Sequence, residues 1–190
     1  LSIDSALSMG VHESQSLFWE RHIGKSKEFF KWATPILKEN IGKDRQDFSP
    51  EELYAAVNAV DFTNLIRVNA DELTYPLHVI LRYNIERDVV KGDLNVDDIP
   101  ARWNKEMKDG LGVDVPDDTN GCLQDIHWSF LAIGYFPTYL IGAMMAAQLA
   151  HYCKQDLPDM DGMVERGEFE EIRKWLTKTV HQHGRRYKSL

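Results

Sequence analysis

The chain has 190 residues, 43% of them hydrophobic and 27% charged, and a net charge of −8. This composition is that of a soluble globular domain with a sizeable core, and it excludes a disordered or low-complexity chain. The acidic balance, with lysines and arginines scattered, also excludes a nucleic-acid surface, which needs a basic footprint. Cys122 and Cys153 have neither metal-ligand spacing nor the density of a disulfide scaffold, so both are expected as buried thiols in a reducing, cytoplasmic compartment.

Apolar Leu7, Val11, Leu17, Phe18 and Ile23 recur at helical spacing, so a first helix carries His12 and Glu13 on a rigid rod. The pair begins like a zinc-protease His-Glu-x-x-His helix, but Ser16 stands where the second histidine must be. Ser26 caps a second helix with Phe29, Phe30, Trp32, Ala33, Ile36 and Leu37 on its apolar side, Pro35 inside it and Gly42 at its end. Ser49-Pro50-Glu51-Glu52 is a capping box with proline at the first helical position.

After a mixed stretch from Asp61 to Asp71, a long helix is expected from near Asp71 to Gly92. Leu73, Leu77, Ile80, Leu81, Asn84 and Ile85 form its apolar face, and Pro76 starts or bends it. Asp97-Asp98-Ile99-Pro100 initiates a helix with Trp103 and Met107 that ends near Gly110-Leu111-Gly112, and an acidic turn-rich loop covers Pro116 to Asn120. The uncharged run Phe130 to Ala150 has the length of a membrane span. Gly134, Pro137, Thr138 and Gln148 interrupt it and no basic anchor precedes it, so a buried core helix from about Pro137 to Tyr152 is expected instead. A last amphipathic helix runs from about Phe169 to His183, placing His181 and His183 on the surface near its C-terminus. The expected fold is all-α, a single helical domain over residues 1–190.

Three segments resemble one known family. Val11-His12-Glu13-Ser14-Gln15-Ser16 with Trp19-Glu20-Arg21, Ile66-Arg67-Val68-Asn69-Ala70-Asp71, and Gly121-Cys122-Leu123-Gln124-Asp125-Ile126-His127-Trp128 are similar to the signatures of the carboxypeptidase Taq family of zinc metallocarboxypeptidases. The resemblance runs through almost the whole chain. It implies the C-terminal part of a large, mostly helical two-lobed enzyme around a deep groove, usually a homodimer, that releases C-terminal amino acids from peptides. It also implies Glu13 as one of three ligands to zinc. The other two ligands and the general base belong to a His-Glu-x-x-His helix, which occurs nowhere in this chain, so the isolated chain is expected to hold zinc poorly and to be inactive.

Chemistry assigns tasks to the matching residues. Arg67 offers a carboxylate the bidentate geometry it prefers and is the candidate for binding the substrate's C-terminus; a structural pair with Asp71, four residues on, is its alternative. His127 and a tyrosine of Gly134-Tyr135-Phe136-Pro137-Thr138-Tyr139, Tyr139 first and Tyr135 second, resemble the donors to a developing oxyanion in zinc peptidases of this general design; by itself a tyrosine in an apolar helix is more often core. Gln124 and Asp125 either hold His127 in one tautomer or contact substrate, or else cap the following helix. His12, on another face from Glu13, is expected behind the site or packed against a neighbour. The reading from a different class is a non-catalytic helical interaction or dimerisation protein derived from such an enzyme. Membrane and nucleic acid are not expected partners.

Overall fold

The computed structural model describes residues 5–42 and 47–187, and among them every regular element is helical. The chain divides into two compact units, one formed by Leu1–Asn58 with Ile141–Leu190 and the other by Ala59–Leu140, a boundary that no composition shift announces.

In the first unit, α1 (Met9–Leu17) starts on Ser8, whose hydroxyl accepts from the Val11 N–H, and it passes directly into a π-helical stretch, Phe18–Gly24. The wider turn explains why Phe18 and Ile23, five residues apart, are both buried. Helix α2 (Lys27–Asn40) is capped by Ser26, and α3 (Pro50–Val57) carries the complete capping box read from sequence. In α2 only Phe30, Ala33 and Thr34 are buried, while Ile36 and Leu37 of the expected apolar side are exposed.

Helices α6 (Pro137–Asp156), α7 (Met160–Glu165) and α8 (Glu170–Thr179) follow in sequence, although the first turn of α6, as far as Leu140, belongs to the second unit. Their core joins Leu17, Phe18 and Ile23 to Ala146, Ala150, Cys153, Met160, Val164, Ile172 and Leu176. The expectation of a buried α6 needs correction. Only the face Gly142, Ala146, Ala150 and Cys153 is buried, whereas Ile141, Met144 and Tyr152 are exposed. No helix among the described residues is long and apolar enough to cross a membrane. Helix α8 also stops sooner than expected, at Thr179, and His181 and His183 lie on a separate 3₁₀ turn. There His181 Nε2 donates to Gln15 Oε1 at 3.0 Å.

The second unit is built on α4 (Tyr75–Lys91) and α5 (Ile99–Leu111), both closed by glycines in the left-handed region, Gly92 and Gly112. Trp103, Met107 and Leu111 of α5 pack with Leu81 and Ile85 of α4 and with Cys122. Helix α4 begins at Tyr75 rather than near Asp71, because Pro76 fits only the first turn. Its expected apolar face is wrong on one side: Leu73, Leu77 and Ile80 are exposed, and the buried side instead carries His78, Arg82 and Glu86 at four-residue intervals. Residues 112–127 and 131–136 form no helix, so the loops that carry the third signature are held by turn hydrogen bonds, such as Leu123 N–H to the Asp118 carbonyl at 2.9 Å, and by side chains.

Candidate functional site

The second and third signatures meet in the second unit. Asp71 does not pair with Arg67. Its carboxylate accepts from the N–H groups of Leu73, Thr74 and Asp61 and from the Thr74 hydroxyl, capping the turn that leads into α4, and these bonds hold its pKa down against the burial that would raise it. Arg67, from a 3₁₀ turn at residues 67–69, is buried and turns to Asp125. Its Nη2 donates to Asp125 Oδ1 at 2.8 Å and its Nε to Oδ2 at 3.1 Å, the side-on fork that suits a guanidinium and a carboxylate. The remaining Nη1 lies 3.3 Å from the Tyr75 hydroxyl, and the guanidinium carbon is 4.9 Å from the Tyr139 ring centroid and 5.3 Å from that of Phe136.

Gln124 neither orients His127 nor caps a helix. Its Oε1 accepts from the Arg67 N–H at 2.8 Å, and its amide donates to the carbonyls of Leu65 at 2.9 Å and Asn120 at 3.1 Å. It therefore staples the loop before Arg67 to the loop of the third signature. Asp125, expected beside His127, instead stands between two arginines, with Arg82 Nη2 at 3.4 Å from Oδ2. Burial pushes the Asp125 pKa up, but the bonds and charge of Arg67, with Arg82 behind, bring it below the usual carboxylate range. For Arg67 burial works against the charge, and the Asp125 partner outweighs it to raise the pKa.

His127, from the turn ahead of Trp128, reaches Tyr139 in the first turn of α6, with 3.0 Å between Nε2 and the hydroxyl. Its ring also packs edge-on against Phe136 at 4.6 Å and lies 5.4 Å from Tyr135, while Tyr135 and Tyr139 stack edge-on at 5.3 Å. Burial lowers the His127 pKa, so the ring is neutral at pH 7 and one nitrogen is free to accept. Its Nδ1 is buried without a hydrogen-bond partner within the protein.

Four contributors were missed by sequence reasoning. Arg82 is fully buried, with its guanidinium carbon 4.4 to 4.9 Å from the ring centroids of Trp128, Phe136 and Trp103. Glu86 accepts from the Trp128 indole at 2.8 Å and from the Gly134 N–H, fixing both sides of the loop ahead of Tyr135. His78 is buried, and burial with the nearby Arg67 charge pulls its pKa down to about 4. Tyr75 opens α4 against Arg67. The spacing of His78, Arg82 and Glu86 was the available signal: a polar stripe that recurs every four residues shares one helix face with the buried Leu81 and Ile85.

The first signature lies in the first unit. Glu13 is half-buried over α6, so close that a Cβ on Gly142 would stand 2.8 Å from its own Cβ. His12 is exposed and lines a concavity of about 680 Å³ with Val11, Leu149, Val180 and His183. Among the described residues no three His, Cys, Asp or Glu side chains come together in a way that would hold a metal ion.

The carboxypeptidase Taq (M32) metallopeptidase family matches residues 1–190. The chain belongs to that family. Carboxypeptidase 1 of Bacillus subtilis strain 168 is 44% identical over 189 residues, a match that takes in 100% of this chain and 38% of the relative. Thermostable carboxypeptidase 1 of Pyrococcus furiosus is 43% identical over 185 residues, covering 97% of this chain and 37% of its own length. A solved Pyrococcus furiosus carboxypeptidase superposes with a TM-score of 0.93 over 97% of this chain and 37% of that one. The matched region is the C-terminal part of these M32 relatives, so the chain spans well under half of their length.

Proposed function

We propose that this chain is the C-terminal portion of a zinc metallocarboxypeptidase that releases amino acids from the C-terminus of peptides. One observation carries the reading: Arg67, Asp125, His127, Tyr135 and Tyr139, drawn from two distant signatures, the loop ahead of α6 and its first turn, converge as a buried guanidinium beside a histidine–tyrosine pair. In this reading Arg67 binds the terminal carboxylate of the substrate through the edge that Asp125 leaves free, and the Tyr139 hydroxyl, paired with His127, donates to the scissile carbonyl oxygen as it gains charge. Glu13 contributes one ligand to the metal, and the other two and the general base belong, in this reading, to a His-Glu-x-x-His helix that this sequence does not contain, so zinc affinity and hydrolysis depend on polypeptide outside this chain. The enzyme acts as a homodimer on peptides, without nucleic acid or membrane.

The test uses the chain alone and a chimera in which it replaces the matching segment of Bacillus subtilis carboxypeptidase 1. The chimera is expected to bind about one zinc per chain and to release the C-terminal residue of an N-blocked dipeptide, and the 190-residue chain to do neither. Glu13→Ala in the chimera should lower the zinc content sharply. Chelator-sensitive hydrolysis by the chain alone would overturn the division of labour, and unchanged zinc in the Glu13→Ala chimera would remove Glu13 as a ligand.

A further inference from the structure

The residue that the carboxylate reading leaves without a task is Arg82. It is the most thoroughly buried charge in the second unit among the described residues, at 0% exposure, and it belongs to none of the three signatures. Three aromatic rings, Trp103, Trp128 and Phe136, box its guanidinium, and only Nη2 finds polar partners, the Cys122 carbonyl at 3.4 Å and Asp125 Oδ2 at 3.4 Å. Its Nε and Nη1 have no hydrogen-bond partner. Burying a charge with unsatisfied donors is expensive, and an apolar side chain of similar volume would fill the same box at lower cost. What an apolar residue would not do is face Asp125.

That contact bears on Arg67. Asp125 grips Arg67 with both oxygens, at 2.8 and 3.1 Å, and this grip decides which edge of the guanidinium remains for a ligand. A carboxylate that faces a single guanidinium can still pivot together with it. Between two guanidiniums, one of them locked by stacked rings, it has a single orientation. We propose that Arg82 is a positioning residue for carboxylate recognition: its aromatic box fixes Asp125, and Asp125 in turn fixes Arg67 with its Nη1 edge toward Tyr75. The second positive charge also keeps Asp125 from cancelling the field of Arg67 at that edge. Glu86, one turn further along α4, does not compete for this role, because its carboxylate is turned to Trp128 and Gly134.

The inference rests on Arg67 as the carboxylate binder, and one titration separates the two. The 190-residue chain is titrated by NMR with N-acetyl-phenylalanine and with its amide, and the ratio of the two affinities is read. Wild type is expected to prefer the acid at least tenfold, Arg82→Met to lose at least tenfold of that preference, and Arg82→Lys, which keeps charge but not the fork, to lose about threefold. A merely structural Arg82 would weaken acid and amide alike and leave the ratio unmoved. A wild type without acid preference sinks the Arg67 reading and this inference together. A wild-type preference that survives in Arg82→Met sinks the inference alone. If circular dichroism shows Arg82→Met unfolded, an unchanged ratio in Arg82→Lys does so instead.

Discussion

Asp125 receives the fork of Arg67 from one side, with Nη2 at 2.8 Å, while Arg82 faces its other oxygen at 3.4 Å, so one carboxylate serves two buried guanidiniums. The arrangement is asymmetric under mutation. Removing the arginine leaves Asp125 with Arg82, but removing the carboxylate charge strands two cations in the interior. Asp125→Asn is therefore expected to cost about 3–5 kcal/mol, and Arg67→Met about 1–3 kcal/mol. For a chain of this size Asp125→Asn would lower the melting temperature by about 10 °C. Urea unfolding followed by circular dichroism checks the order, and an Arg67→Met variant less stable than Asp125→Asn would contradict it.

The hydroxyl of Tyr139 is 3.0 Å from His127 Nε2, and it is the candidate donor in the proposed reaction. Tyr139→Phe keeps the ring contacts with Tyr135 and Phe136 and removes only that group. In the chimera, kcat is expected to fall about a hundredfold with KM little changed, the pattern of an interaction made chiefly in the transition state. Steady-state kinetics on an N-blocked dipeptide decides it, and an unaltered kcat would relieve Tyr139 of this role.

Local rules made most of the helices legible. Ser49 to Glu52 forms the capping box it spells, and Gly92 and Gly112 stop α4 and α5 in the left-handed region. The sidedness of α4 was not legible from apolar spacing, because Leu73, Leu77 and Ile80 satisfy a helical period yet lie outward, while the buried face is spent on His78, Arg82 and Glu86. Hydrophobic periodicity assumes that what is buried is apolar, and a polar site inside a core breaks that assumption. Arg67, Asp125 and His127 were found by their signatures and Tyr139 by likeness to the donors of zinc peptidases, but their partners were not. That Asp125 chooses Arg67 over His127, and Gln124 the Arg67 backbone, follows from loops without helical period, where only three-dimensional packing sets who meets whom.

His78 gives the protein a pH dependence that sets in above the range where its carboxylates titrate. Its folded pKa, about 4, lies below the ordinary 6.5, chiefly because burial disfavours the charged ring. Between these two values the unfolded chain takes up a proton that the native chain refuses. The His78 contribution to stability therefore falls as pH drops through that interval and levels off below it, by about 3 kcal/mol in full. His127, also lowered, adds in the same direction. Thermal melting between pH 7 and pH 4 should show the decline, and His78→Phe should flatten most of it. A variant with the wild-type slope would exclude His78 as its source.

Glu13 owes its position to a glycine on the facing helix. A Cβ at Gly142 would stand 2.8 Å from Glu13 Cβ, 3.0 Å from its Cγ and 3.2 Å from the Gly10 carbonyl oxygen, so alanine there forces α1 away from α6. Gly110, inside α5, has nothing within 4 Å of the same virtual atom. The two substitutions should have opposite signs. Gly110→Ala gains up to about 1 kcal/mol from helix propensity, whereas Gly142→Ala loses about 1–3 kcal/mol to overpacking despite the same propensity gain. In the chimera, Gly142→Ala should also reduce zinc content, since it displaces the carboxylate assigned to the metal, and Gly110→Ala should leave it unchanged. Denaturation curves and metal analysis of the pair test this, and a Gly142→Ala protein as stable as Gly110→Ala would show that α1 and α6 do not meet at this distance.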